Sequence, residues 1–208
     1  MLKAIETSYK GYRFRSRLEA RWAVFFDALG IKWEYEVEGF ELGEAGRYLP
    51  DFWLPKQEYW IEIKGPAPNE KELTKASWLA RLNEDSSLVY IIAGTPWPNE
   101  YQVYTPYFTN NHRYGEAPSD ECWIQCFVCK QYSIAYANHI DSGDDAHWYQ
   151  CEYCDIGEGR NLDPAAAGCR FHKGDICSYG KDATRSPALL AAYTAARSAR
   201  FEHGEHGL

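Results

Sequence analysis

The chain lacks any run of apolar residues near the ~18–20 that a membrane-spanning helix requires. Its opening, MLKAIETSYKGYRF, has neither an apolar core nor a small-residue cleavage site, so a secretory signal is not expected. An integral membrane protein is excluded on this reading, and a cytoplasmic location is expected. Cysteine is missing from residues 1–121, so disulfides are not a general stabilising device. Positive charge is scarce: 22 Lys and Arg stand against 30 Asp and Glu, a formal net charge of -8. That balance excludes a protein whose main work is to coat phosphate backbones. The 208 residues are 45% hydrophobic and 25% charged, a globular composition with room for one domain or a compact domain with a small appendage.

The charge is unevenly placed. From Lys3 to Arg21 six bases face two acids, a local net of +4, whereas residues 121–160 carry two bases and seven acids, a local net of -5. The basic row Lys10, Arg13, Arg15, Arg17 and Arg21 is therefore the candidate nucleic-acid contact; the plainer reading is a solvated helix face.

All seven cysteines follow residue 121. Cys126 and Cys129 make one C-x2-C, and Cys151 and Cys154 make a second. Two residues within each pair let a tight turn aim two thiolates at one point, and two such turns complete the tetrahedral shell of a structural Zn²⁺ site. Disulfides or a redox dithiol are the alternatives, disfavoured without a secretion signal. Cys122, Cys169, His172 and Cys177 form a possible second zinc set, or else pack as small apolar residues.

Periodicity and capping signals predict the elements. Ser16 caps a helix reaching Leu29, with Leu18, Trp22, Phe25, Phe26 and Leu29 on one face. Strands are expected at 32–37, 47–54 and 59–65, a helix at 69–83 behind Asn69, a buried strand at 88–94 and another at 100–107. Ser186 and Pro187 open a last helix that carries Arg197 and Arg200. The expected fold class is α/β (α+β), a mixed central sheet with flanking helices. The expected divisions are a core at 1–117, a zinc-binding module at 118–180 and a C-terminal helix and tail at 181–208.

Within the third expected strand, Glu62 and Lys64 share a face, and Tyr59, Ile61 and Ile63 share the other. A hairpin brings Asp51 beside Glu62. Two carboxylates and a lysine converging on one patch suit a divalent cation held by Asp51, Glu62 and the backbone carbonyl of Ile63. Lys64 then orients or deprotonates a water and steadies phosphoryl charge. Glu19, in the first helix, is a further candidate ligand. The plainer readings are an intrahelical Glu19–Arg15 pair and an exposed, salt-bridged strand face.

The set Glu19, Pro50-Asp51 and Glu62-Ile63-Lys64 resembles the E…PD…E-x-K pattern of the PD-(D/E)XK nuclease superfamily. The phrases SRLEARWAVFFDALGI, YLPDFWLP and WIEIKG resemble those of small phage or prophage endonucleases of the junction-resolving, Vsr-like or homing-type nicking kinds. The resemblance covers roughly residues 9–108. It implies a restriction-endonuclease-like core and Mg²⁺- or Mn²⁺-dependent hydrolysis of DNA phosphodiester bonds in a bacterial or phage-infected cell. Asp51 and Glu62 are then metal ligands, Lys64 the catalytic lysine and Glu19 an accessory ligand. The zinc ribbon lies outside that core and aids substrate recognition or stability. The alternative is an inactive nuclease-like adaptor that binds nucleic acid or a protein. A homodimer or a larger recombination or defence complex also fits.

Overall fold

The computed structural model describes residues 5–82, 88–109, 112–119, 121–125, 130–136 and 185–201. The chain divides into two compact units, Met1–Ser119 with Ala191–Leu208, and Asp120–Leu190. The described residues are mixed α and β, with three helices and one five-stranded mixed sheet.

The first unit opens with a hairpin, β1 (Thr7–Tyr9) against β2 (Tyr12–Phe14), which the sequence reading did not anticipate. Its two-residue turn, Lys10 and Gly11, has positive φ at both positions (48° and 82°). That is the primed geometry matching the strand twist. Helix α1 (Arg17–Ala28) follows, with the Ser16 side chain accepting a hydrogen bond from Glu19 N–H. Gly30, at φ 68°, lets the chain leave the helix without a Cβ clash.

The sheet runs β3 (Glu34–Tyr35), β6 (Phe52–Leu54), β7 (Tyr59–Lys64), β8 (Leu88–Gly94) and β9 (Tyr101–Tyr104) in spatial order. Only β7 and β8 are parallel, and α2 (Glu70–Leu82) provides the crossover that a parallel pair needs. Asn69 Oδ1 caps α2 by accepting from the N–H groups of Lys71 and Glu72, and Glu72 Oε2 returns a bond to Asn69 N–H at 2.8 Å. This is a reciprocal capping box.

Three expected strands are shorter or divided. Residues 32–37 pair only at β3, because Glu36 adopts φ 47°. Residues 47–54 split at Leu49 to Asp51: β5 (Arg47–Tyr48) pairs with β4 (Phe40–Glu41), and only β6 joins the main sheet. Pro50 has no N–H to give a ladder, so the break falls there. Beyond β9, Pro106 ends the strand in the same way. There β10 (Tyr107–Thr109) instead pairs with β11 (His112–Tyr114).

Pleating sorts the core into two layers. Trp60, Val89, Ile91, Ala93 and Tyr104 meet Leu73, Ala76 and Leu79 of α2 on one face. On the other, Phe52 meets Phe26 of α1, and Tyr101 meets Trp22. The Glu62 face of β7 is thus as deeply buried as the face of Tyr59, Ile61 and Ile63. Helix α3 (Pro187–Ser198) places the Tyr193 ring on Phe25 at 4.7 Å and its hydroxyl 2.8 Å from that of Tyr101. Gly94, at φ 118°, ends β8 where an added Cβ would lie 2.2 Å from the Glu100 carbonyl oxygen.

In the second unit, β12 (Glu121–Gln125) and β13 (Tyr132–Tyr136) form an antiparallel hairpin. Trp123 and Ile124 on β12 and Ile134 on β13 are buried. Lys130, just before β13, has φ 61°.

Candidate active site

The β6–β7 register determines the site. Phe52 pairs with Ile61, so Asp51 stands one step further along, opposite Glu62. Asp51 Oδ2 accepts a 2.7 Å hydrogen bond from Ile63 N–H. Glu62 Oε1 lies 2.6 Å from the Lys64 ammonium, which also reaches Glu72 of α2 at 3.1 Å. Asp51, Glu62 and Lys64 therefore meet at one end of the sheet, as their spacing predicts.

Both carboxylates are buried, Asp51 at 2% exposure and Glu62 at 6%. Burial pushes the Asp51 carboxyl well above its usual range, and the charges of Glu62 and Glu19 push the same way; the Ile63 N–H and Arg15 oppose them. Burial also raises Glu62, against the pull of Lys64. For Lys64, burial acts downward, but the Glu62 and Glu72 carboxylates outweigh it and the net shift is upward. Lys64 therefore stays protonated at neutral pH, which suits donation and charge stabilisation rather than proton abstraction.

Glu19 comes from α1, on the opposite side of the sheet, and is buried at 6% exposure. Its Oε2 accepts from the Tyr35 hydroxyl at 2.6 Å and from Arg15 N–H at 3.1 Å, and its Oε1 from the Ser16 hydroxyl at 2.6 Å. The plainer alternative, an intrahelical Glu19–Arg15 side-chain pair, is not what forms; of Arg15, only the N–H reaches Glu19. The Arg15 guanidinium crosses instead to Asp51 Oδ1 at 2.6 Å and Glu36 Oε1 at 2.7 Å.

Among the described residues no three His, Cys, Asp or Glu side chains lie together closely enough to hold a metal ion. Glu19 is taken up by its cap, which leaves the Asp51–Glu62 pair. That pair suits a hard divalent cation in one specific respect: Glu62 Oε2 is buried and has no hydrogen-bond partner. Burial raises the neighbouring Tyr48 hydroxyl, and the charges of Glu62 and Asp51 and an interaction with the Glu62 carboxylate act the same way, although the geometry between them falls short of a full hydrogen bond. An orphaned carboxylate oxygen beside a second buried carboxylate is a place where positive charge is missing.

The basic row divides. Lys10 pairs with Asp27 at 3.0 Å, Arg13 pairs with Glu6, and Arg15 is engaged as above. Arg17 and Arg21 line a cavity with residues of α3. Sequence reading missed Tyr48, Tyr35, Glu36 and Glu72 as neighbours of the site. Of these only Glu72 left a trace, as the third residue after Asn69 in the α2 capping box.

Cys126, Cys129, Cys151, Cys154, Cys169, His172 and Cys177 lie outside the described residues. Cys122 is in β12 opposite Ala135 and half-buried; burial, with help from Glu121, pushes its thiol up to about 12. Among the described residues no helix is long and apolar enough to cross a membrane. Compared with protein-family models, curated proteins and solved structures, the chain finds no significant match.

Proposed function

We propose that the protein is a divalent-metal-dependent DNA endonuclease of PD-(D/E)XK type, with a restriction-endonuclease-like core and an added zinc ribbon. One observation carries the reading: Asp51 and Glu62 are buried side by side, with Glu62 Oε2 unsatisfied and Lys64 held against the pair. Such an arrangement costs the fold several kcal/mol if left uncompensated, and a functional cation explains why it exists.

Asp51 and Glu62 would hold Mg²⁺ or Mn²⁺, with the Ile63 carbonyl as a third donor. The ion supplies Lewis-acid activation of water and offsets phosphoryl charge. The chain's own groups do the rest. Ile63 N–H fixes the Asp51 carboxylate. Glu62 and Glu72 hold Lys64 protonated, so that its ammonium donates to a phosphate oxygen as negative charge develops. Glu19 acts through the α1 cap and Tyr35, positioning the helix rather than binding metal.

The zinc reading rests on Cys126, Cys129, Cys151 and Cys154. It is supported by the antiparallel pairing of Gln125 with Tyr132 across the segment that carries the first pair. At least one zinc per chain by elemental analysis is expected, and a second if Cys122, Cys169, His172 and Cys177 also bind.

A second reading, the inactive adaptor, is favoured by one contact: Arg15 already neutralises Asp51 without a metal. Incubation with supercoiled, linear, single-stranded and branched DNA in Mg²⁺, Mn²⁺ or EDTA separates the two. Metal-dependent cutting abolished by Glu62→Gln supports the nuclease. No cutting of any substrate with either ion defeats it.

A further inference from the structure

We propose that Arg15 competes with the metal ion for Asp51: its guanidinium occupies the cation position there and turns to Glu36 when a divalent cation binds the Asp51–Glu62 pair. The inference deepens the metal reading of that pair and rests on it.

Three observations carry the exchange. The movement it needs is confined to one side chain. Arg15 lies in the bend between β2 and α1, where its N–H donates to Glu19 Oε2 at 3.1 Å and to the Tyr35 hydroxyl at 3.2 Å. Those bonds fix the backbone, while the side chain is 56% exposed and can change rotamer without disturbing the core. Its position on Asp51 is also one that a metal needs. Asp51 Oδ2 accepts from Ile63 N–H, and Oδ1 meets the guanidinium at 2.6 Å. Two cations on one buried carboxylate repel strongly where water is excluded.

The alternative partner is already in place and incompletely satisfied. Arg15 Nε lies 2.7 Å from Glu36 Oε1, yet that buried oxygen completes no hydrogen bond. Spanning two carboxylates leaves the guanidinium fork misaligned on one of them; released from Asp51, it can align fully on Glu36. Glu36 keeps a φ of 47°, costly for a side-chain-bearing residue, and its N–H donates to the Asp51 carbonyl oxygen at 2.9 Å. That bond holds the second carboxylate beside the first.

Charge decides the exchange. A divalent ion answers Asp51 and the unpartnered Glu62 Oε2 together, whereas the guanidinium forms no hydrogen bond with that oxygen. Without the ion, Arg15 offsets part of the repulsion between the two carboxylates. The apparent Kd for metal equals the intrinsic value divided by the fraction of molecules in which Asp51 is released. An arginine seated in about nine molecules of ten therefore weakens metal binding about tenfold.

The test titrates Mn²⁺ into the full-length protein by isothermal calorimetry, with Asp51→Asn defining heat that arises elsewhere. Arg15→Gln should bind Mn²⁺ about tenfold more tightly than the wild type. Without added metal it should have the lower Tm, and saturating Mn²⁺ should close that gap, because the ion replaces what the arginine supplied. Arg13→Gln removes an exposed arginine paired with Glu6 and should leave the Kd near the wild-type value. If Arg15→Gln does not fold, phenylglyoxal modification of the wild type, mapped by mass spectrometry, carries the test. Mg²⁺ should speed the reaction at Arg15, and an unchanged or slower rate overturns the exchange. An Arg15→Gln Kd equal to or weaker than that of the wild type makes Arg15 a fixed part of the fold and overturns the proposal. So does an Arg13→Gln variant that binds as tightly as Arg15→Gln, because general charge loss then explains the gain. Mn²⁺ bound by neither the wild type nor Arg15→Gln removes the metal reading and the exchange with it. The exchange is read from binding alone, so a protein that shows it but cuts no DNA defeats only the nuclease reading.

Discussion

Arg15 and Asp51 are 36 residues apart and joined at 2.6 Å, an exposed arginine on a carboxylate that is almost wholly buried. The same guanidinium holds Glu36, whose N–H in turn donates to the Asp51 carbonyl oxygen at 2.9 Å. A solvent-accessible cation thus compensates one of two adjacent buried carboxylates, while Glu62 keeps an oxygen with no partner. Positive charge at this end of the sheet is partly supplied and partly wanting.

That imbalance makes metal addition informative. Mg²⁺ or Mn²⁺ is expected to raise the Tm of the wild type and to leave Asp51→Asn unmoved. At a metal concentration of 100 times Kd the stabilisation should reach about 2.7 kcal/mol. Differential scanning fluorimetry in a chelator-washed buffer reads it. A wild type that neither ion shifts would remove the metal from the proposal.

Lys64 and Glu62 should prove energetically coupled. Lys64→Met removes the nearest counter-charge from a carboxylate with an 8% exposed side chain, leaving only the weaker pull of Arg15; because the lysine itself is 23% exposed, the cost is expected at about 1–3 kcal/mol. Adding Glu62→Gln should recover most of it. Urea denaturation of both single variants and the double closes the cycle, and additive losses would mean the ion pair carries no coupling.

The raised carboxyls of Asp51 and Glu62 imply a pH dependence of definite sign. From the ordinary carboxylate range up to the raised folded values, the native state binds more protons than the unfolded chain. Stability therefore falls as pH rises through that window. As pH rises from the ordinary carboxylate range through the raised folded values the wild type should lose Tm, at roughly 2–4 °C per kcal/mol, and Asp51→Asn should show a shallower decline. Calorimetry at matched ionic strength measures both; a Tm that climbs with pH across this range would contradict the buried-pair account.

Gly94 should not accept a side chain. Its φ of 118° suits glycine alone, a Cβ would meet the backbone of Glu100 and Tyr101, and its carbonyl accepts the Trp22 indole N–H at 3.1 Å. Gly94→Ala is expected to cost at least about 2 kcal/mol, by urea denaturation. Gly65→Ala, where no atom lies within 4 Å of the added Cβ, is the tolerated counterpart.

Much of this was legible in the chain itself. Ser16, Asn69 and Ser186 each cap the helix that follows, since a cap needs only a side chain and an N–H two or three residues on. The apolar run at 88–94 and the pattern of 59–64 are strands because period and propensity are local. Asp51 could be placed opposite Glu62 because a short hairpin leaves little freedom of register. The Lys10-Gly11 turn was readable too, between TSY and YRF, but was not read as a hairpin.

Other features follow from chain closure, which no window of sequence contains. The side chains of Arg15 and Glu19 are near enough in sequence to pair, yet Arg15 reaches Asp51 and Glu36 and Glu19 stays with its cap, because packing decides which partner is closest. Residues 47–54 divide between two sheets because β4 offers a ladder that Pro50 cannot extend into the main one. Arg17 and Arg21 acquire Arg197 and Arg200 as neighbours only when Tyr193 docks on Phe25. By itself the sequence determined the three helices with their caps, the strands at 59–64 and 88–94, and the grouping of Asp51, Glu62 and Lys64, all set by interactions between near neighbours. Only the tertiary structure decided how each charge is compensated, because burial and long-range contact settle whether a carboxylate or guanidinium finds a partner.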